Sequence, residues 1–593
     1  MGKNCWDQNW KEMERKLTKA WRNVRLLLLM FLWTGAMNAQ SIERVTVGET
    51  SDADQLNPYT NFSATGSYIN EYLFFSLLRT DKKTGDFVPL LAENLPEVSS
   101  DMLSYTYTIH PFAKFNSGKK VTARDVVFSI KALRNPYVNN SQKRVHFEII
   151  TDANALDERR VVIHVKKPNS QAMRITGEFA ILSEEHFDPE HSLDAVSISE
   201  EGLGDKLGMD KLKALKTVAD GLNVYGSSFA AFNPDPTCGS YILTAWRRGA
   251  EIVLGTNKHF WGKRVLPLPN DYFKQNVGEI RFEIVSEEAA IRKAIFENRF
   301  DLFASMPQQI FANLSDIPAL AAKYQFVSPP GPSYEYIGLN MRSTDRGRNP
   351  ATADVAVRRA LAHLVHVDLL AVQVCYGLGT RIASEYPATR PDFKNPDLPL
   401  IPFDPEKANS ILDQSGWLDH DANGLRDKTI GGEDVQIVLE CIYNENKSER
   451  KAIADHLAEN ALKAGILVSV VPLPWKEYLA RLKSGDFEIA IGAWVADPNE
   501  DTYRQIWHSK SWGVGSNFVG FGSKESDAQV ERYDETIDPG KHLALSKEIQ
   551  KSIYDQQPYV FLWTNNQCLV LSKRFAKAPI YNLRPGFWIA VWE

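Results

Sequence analysis

Only five cysteines occur among the 593 residues and none forms a CxxC pair, so the chain encodes neither a disulfide framework nor a thiolate zinc site. The twelve histidines include no HExxH pair. There is no GxxxxGKS or GxxxxGKT phosphate loop, and "GVGSNFVGFG" at 513–522 has no strand leading into its glycines. No GxSxG elbow is present and no cysteine sits in a catalytic motif, which leaves no nucleophile signature. Positive charge is not in excess either: 68 Lys and Arg stand against 74 Asp and Glu, a net charge of −6 that argues against a nucleic-acid partner. Internal repeats and low-complexity tracts are absent, and only one stretch is long and apolar enough to engage a membrane.

That stretch is "LLLLMFLWTGAM", Leu26 to Met37, preceded by seven Lys or Arg against three acids in residues 1–25. Spanning a bilayer takes about 20 apolar residues. A basic flank, a short apolar core and small residues before "QS" read as a secretory signal cleaved after Ala39, residues 1–39. The alternative is an uncleaved membrane anchor, and the long leader allows translation to begin at Met13 or later. No cysteine stands directly after the apolar core, so no lipobox is present. Losing residues 1–39, with seven positive and three negative charges, takes the formal charge from −6 to about −10. Four cysteines remain, Cys238, Cys375, Cys441 and Cys568, read as buried thiols or a single bridge.

What the chain does have is a regular block from Glu433 to Trp494. "VQIVLECIYN" is strand-like, "SERKAIADHLAENALKAG" has helical spacing with a Gly465 stop, and "ILVSVVPL" is a strand. "PWKEYLARLKSG" is a short helix and "FEIAIGAW" a third strand. Strand, helix, strand, helix, strand predicts two βαβ units and a parallel sheet, with ligands beyond the carboxyl ends of the strands. "GAWVADPNED", 492–501, lies at such an end and delivers Trp494, Asp497, Glu500 and Asp501 there. The plainer reading is a turn at Asp-Pro with Asn499, Glu500 or Asp501 capping a helix through "TYRQIW". Ala353 to Leu370 predicts one amphipathic helix and Asp404 to Trp417 another. Earlier, "LSYTYTIH" and "RRVVIHVKKP" read as strands and "TARDVVFSIKALRN" as a helix, an α+β region ahead of an α/β region. His363 and His366 read as a packed or surface pair. "DHDANGLRD", 419–427, reads as a polar turn, because Ile430 stands where a calcium loop needs a bidentate Glu.

Several segments in order resemble the family 5 extracellular solute-binding proteins, the peptide-capturing subunits of ABC importers. They are "FFSLLRTDKKTGDFVPLLAENLP", "YTYTIHPFAKFNSGKKVTARDVVFSI", "CGSYILTAWRRGAEIVLGTNKHFWG", "YIGLNM", "VRRALAHLVHVDLL", "DPEKANSILDQSGW" and "SNFVGFGSKESDAQV". The departures are "FNSG" for "FHDG", "LVHVD" for "AIDR" and "TCGSY" for "GTGPY". The resemblance covers Ile42 to the C-terminus and implies an α/β, two-lobed periplasmic-binding-protein fold with an extra inserted α+β domain and a hinge between the lobes. By analogy, 42–80, 236–335 and 560–593 form lobe I, 81–235 the insert, and 336–559 lobe II.

The implied function is capture of short peptides between the lobes and delivery to an ABC permease, by a periplasmic monomer that is not an enzyme and carries no cofactor or metal. In "AWVADPNED" the resemblance gives Asp497 the peptide's terminal ammonium, lets Trp494 wall a side-chain pocket, and has Ala493 and Val495 offer backbone groups. Pro498 stands where relatives often have Tyr. No carboxylate-binding residue carries over; Arg381 and Arg390, after "YGLGT", are the candidates, each also readable as a surface charge. The rivals are the same fold binding an oligosaccharide, metal chelate or opine-like compound, a secreted hydrolase, and a peptidoglycan or chaperone-like role without transport.

Overall fold

The computed structural model describes residues 42–201, 204–232, 235–385, 393–445, 447–495, 503–513 and 515–593. Two large sheets organise them. The first has seven strands in the order Tyr324–Val327, Leu569–Ser572, Leu302–Phe303, Ile42–Glu49, Val277–Ile284, Glu251–Thr256 and Tyr241–Arg247. The Ile42 strand is parallel to both the Val277 and Leu302 strands. Val45 and Val47 of that strand point into the core at two-residue spacing, and Glu49 continues the same phase.

On this body stands a four-stranded antiparallel sheet, ordered Glu97–Val98, Ser104–Thr108, Arg160–Val165 and Ile150–Ala155. Helix Ala123–Arg134 packs on it, opened by a capping box between Thr122 and Asp125 that satisfies donors the first turn would leave free. Its apolar side chains join those of the seven-stranded sheet in one continuous core.

The second large sheet is ordered Gly379–Arg381, Tyr559–Asn566, Pro330–Leu339, Ile489–Val495, Val438–Asn444 and Leu467–Leu473. The Val438 strand runs parallel to the Leu467 and Ile489 strands, and helices Ser448–Lys463 and Trp475–Ser484 fill the crossovers. This is the predicted strand-helix alternation. One refinement concerns "VQIVLECIYN": its first two residues belong to the strand Glu433–Gln436, which pairs with Asp427–Ile430 in a separate hairpin, and only Val438–Asn444 enters the large sheet. The two faces bury different sets. Ile337, Leu339, Ile489 and Ile491 serve one core; Tyr334, Tyr336 and Ala490 serve the other.

Two expectations are corrected by the geometry. The helix expected over Ala353 to Leu370 is two helices, Val355–His363 and Val367–Cys375; His366 caps the second by accepting from the Leu369 N–H at 3.2 Å. Second, the chain passes between the large sheets at 328–329, between the Tyr324 and Pro330 strands, and at 567–568, between the Tyr559 and Leu569 strands. The boundaries expected at 335 and 560 therefore fall inside strands of the second sheet, because Pro330–Leu339 and Tyr559–Asn566 hydrogen-bond to each other there. Away from these crossings, Lys167 Nζ meets Glu535 at 3.0 Å and the Ser170 N–H donates to the Asp534 carbonyl at 3.2 Å, tying the inserted region to the helix Lys524–Glu535. Cys238, Cys375, Cys441 and Cys568 are all free and buried.

Candidate functional site

The carboxyl ends of the Val438 and Ile489 strands lie at the same edge of the second sheet as the start of the Pro330 strand, just past the crossing at 328–329. Two rows of side chains reach this edge, one on each face. Trp494 is paired with Tyr334 and half-buried. It stands in an aromatic column. Tyr559 and Tyr336 stack at 3.9 Å and 9°, Tyr336 faces Trp494 at 6.4 Å and 13°, and Trp494 faces Phe518 at 5.6 Å and 14°. The indole N–H donates to the Tyr559 hydroxyl at 3.2 Å, which fixes the ring plane. Gly492 makes room for the column, since a Cβ there would lie 2.6 Å from the Tyr336 ring. The far members are buried while Trp494 and Phe518 remain partly open, so the column presents a rigid apolar plate.

On the opposite face Ala493 is paired with Glu335, and Val495 with Ser333. Glu335 lies in phase with Ile337 and Leu339, at a position the alternation assigns to the core, and is 9% exposed. Its Oε1 accepts from Asn565 Nδ2 at 3.3 Å and its Oε2 is 3.9 Å from Arg450 Nε. Burial raises its pKa to about 7, with Arg450 and Asn565 only partly offsetting. The first sheet offers a counterpart. Glu49, at the carboxyl end of its strand, accepts from Ser305 Oγ at 3.2 Å and is also pushed up to about 7 by burial, with the Tyr68 and Ser305 hydroxyls opposing. Glu385, beyond the Gly379 strand, is raised to about 7 for the same reason. Burial therefore raises all three acids toward neutrality, and none was singled out from the sequence. The signal was there for two: "RVTVGE" and "YEYIGL" each place a carboxylate in the apolar phase of a strand.

Of the residues expected at the site, Trp494, Ala493 and Val495 come together at one strand end. Arg381 does not join them. It sits on the edge strand, three strands from Trp494, and pairs in register with Trp563, whose ring packs in the core on the face opposite the aromatic column. Its guanidinium is committed to Asp368 Oδ2 at 2.8 Å and the Ile401 carbonyl at 2.7 Å. Asp497 and Arg390 lie outside the described residues. The "DHDANGLRD" segment brings Asp419, Asp421 and Asp427 within 4.8 Å of one another. Asp419 accepts from the N–H groups of Asn423 and Gly424, and Asp427 from His420 Nδ1 at 2.6 Å, as a self-satisfied polar turn does.

Residues 86–515 match the bacterial extracellular solute-binding proteins, family 5, over that family's middle region. The chain belongs to this family. The oligopeptide-binding protein AppA of Bacillus subtilis is 23% identical over 565 residues, 92% of this chain and 91% of its own length. Among solved folds, AppA from the same organism in complex with a nonapeptide aligns with TM-score 0.67 at 20% identity, covering 93% of this chain and 99% of that one. NikA from Brucella suis in complex with Fe(III)-EDTA aligns at 0.71 with 19% identity, again covering 93% and 99%. As a family 5 protein the chain has the two-lobed α/β fold of extracellular solute binders. No helix among the described residues is long and apolar enough to cross a membrane.

Proposed function

We propose that this protein captures short peptides between its two large sheets and delivers them to an ABC permease. The observation that carries the reading is the strand end at Ile489–Val495, where a fixed, half-open Trp494 plate on one face and the Ala493–Glu335 pair on the other border a single edge beside the chain crossings. An extended peptide suits such an edge: its side chains can meet the plate while its backbone amides meet strand-end groups. The lobes part at 328–329 and 567–568 and close over the ligand as a hinge; the inserted region, 81–235, moves with the first lobe through their shared core. Residues 1–39 direct export and are removed, leaving an acidic monomer in the periplasm.

Asp497 follows Trp494 closely and serves as the socket for the peptide's α-ammonium, which is mostly charged at neutral pH. A charge-assisted hydrogen bond of this kind is worth roughly 1.5–3 kcal/mol. Asp497→Asn should weaken binding of free-amine peptides about tenfold or more while the thermal midpoint stays put, and N-acetylated peptides should bind wild type poorly. Equal affinity of mutant and wild type, or tight binding of an acetylated peptide, removes the socket from Asp497. Peptides recovered intact after incubation support a binder over a hydrolase.

A further inference from the structure

The lobes are joined by the chain at 328–329 and 567–568, so a contact made between them elsewhere must break when they part. Such a contact lies at the carboxyl end of helix Lys524–Glu535. That helix belongs to the second lobe: its Val530 and Tyr533 are buried in the core against which Trp494 and Phe518 pack. A helix leaves its last carbonyls without intrahelical donors. Here the Arg532 carbonyl accepts from Thr536 Oγ1 at 2.7 Å and the Tyr533 carbonyl from the Thr536 N–H at 3.2 Å. The Asp534 carbonyl takes its donor from the other lobe, the N–H of Ser170 in the inserted region, at 3.2 Å.

The donor side is a short turn between the strand Arg160–Val165 and the helix Ala172–Gly177. Asn169 folds it back: its Oδ1 accepts from the Gln171 N–H at 2.8 Å and its carbonyl from the Ala172 N–H at 3.0 Å. Lys167 adds charge, with Nζ 3.0 Å from Glu535 Oε1, and a cation is favoured at the negative end of a helix dipole. On the helix side, Arg504 Nε holds Asp534 at 2.5 Å. Both members of the Lys167–Glu535 pair are open to solvent, at 39% and 55%. An exposed pair of this kind is weak and screened by salt. It can hold and release; it cannot lock.

We propose that the turn from Lys167 to Ser170 and the carboxyl end of helix Lys524–Glu535 form a latch between the lobes, away from the hinge, which sets how much of the empty protein is closed. The latch gives the inserted region a task. That region shares the core of the first lobe and reaches the second lobe through this turn. A weak contact suffices, because a factor of a few in the balance of open and closed forms carries directly into the population that can admit a solute. The same contact forms when a solute is enclosed, so it also slows release. The proposal rests on the hinge reading above and does not depend on what the solute is.

Spin labels on Asp210→Cys in the inserted region and Ala544→Cys in the second lobe, both exposed positions, read the distance between the lobes in the empty exported protein. The four native thiols are buried and stay unlabelled. Two distances are expected. Lys167→Glu, which replaces attraction to Glu535 with repulsion, should shift the balance toward the longer one by up to about fivefold. Added salt should shift the latched protein the same way and move Lys167→Glu back toward closure. Combining Lys167→Glu with Glu535→Lys should recover part of the short population. A merely structural surface pair would move none of these populations, and the thermal midpoint should stay within about 2 °C throughout. Two distances whose balance Lys167→Glu leaves unmoved, or a charge swap as open as the single variant, overturns the latch and leaves the hinge standing. One distance common to the parent protein and every variant overturns the hinge reading, and the latch with it.

Discussion

Replacing Glu49 by Gln isolates the cost of burying a carboxylate at the carboxyl end of a sheet strand. Glu49 is 3% exposed, and its pKa stands at about 7 where an unfolded chain has 4.5. The neutral form is therefore the one the fold favours. Below the unfolded value both states are protonated and the group's stabilising contribution is fully present. As the pH climbs, the unfolded chain ionises first, and stability is lost until the pH has passed the folded value. At 1.36 kcal/mol per pKa unit, the rise from 4.5 to about 7 amounts to about 3 kcal/mol. Glutamine keeps the size and the acceptor toward Ser305 Oγ while remaining neutral throughout. Denaturant unfolding of wild type and Glu49→Gln at a series of pH values should show similar stability near pH 4 and a mutant more stable by up to about 3 kcal/mol near pH 8. Profiles that run parallel from pH 4 to 8 would refute the burial argument and with it the claim that this strand end holds a proton-retaining acid.

Two other outcomes follow from the same geometry. Trp494→Ala removes the open plate and the bond to Tyr559; ligand affinity should drop roughly tenfold to thirtyfold, while folding stability falls by no more than about 2 kcal/mol because the ring is half-buried, both measurable by titration and unfolding of one preparation. The thiols of Cys238, Cys375 and Cys568 are each pushed up to about 12 by burial, and Cys441 is raised as well. The native mature protein should accordingly leave a thiol reagent at pH 8 nearly unreacted and release all four equivalents once denatured.

The parts of the fold that sequence patterning predicts correctly are those built from neighbours in the chain. The block from Val438 to Val495 alternates apolar strands with amphipathic helices whose starts and stops are written locally, as at Gly485, and it folds as the pattern implies. Asp404 caps its helix and Thr122 with Asp125 caps another for the same local reason. The seven-stranded sheet is different. Ile42–Glu49 pairs with strands more than two hundred residues away, and Leu569–Ser572 closes the sheet from the far end of the chain, pairings that no local periodicity encodes. The helix break after His363 was hidden because "HLVHVD" continues a helical apolar pattern, and only the His366 cap reveals the restart. At the site, Trp494 was visible as an aromatic at a strand end. The Glu335–Arg450 pair was not, since it joins a strand residue to a helix residue 115 positions later. Glu335 alone could have been flagged, as an acid in phase with Ile337 and Leu339.

The central claim is that the space between the lobes holds peptides. Native mass spectrometry of the exported protein, followed by mass analysis of what it releases on denaturation, tests it most directly. The account predicts a ladder of masses that fragment as short peptides with free amino termini and free carboxyl termini. A single released species that does not fragment as a peptide would contradict it, leaving a two-lobed family 5 binder whose Trp494 plate serves a different solute.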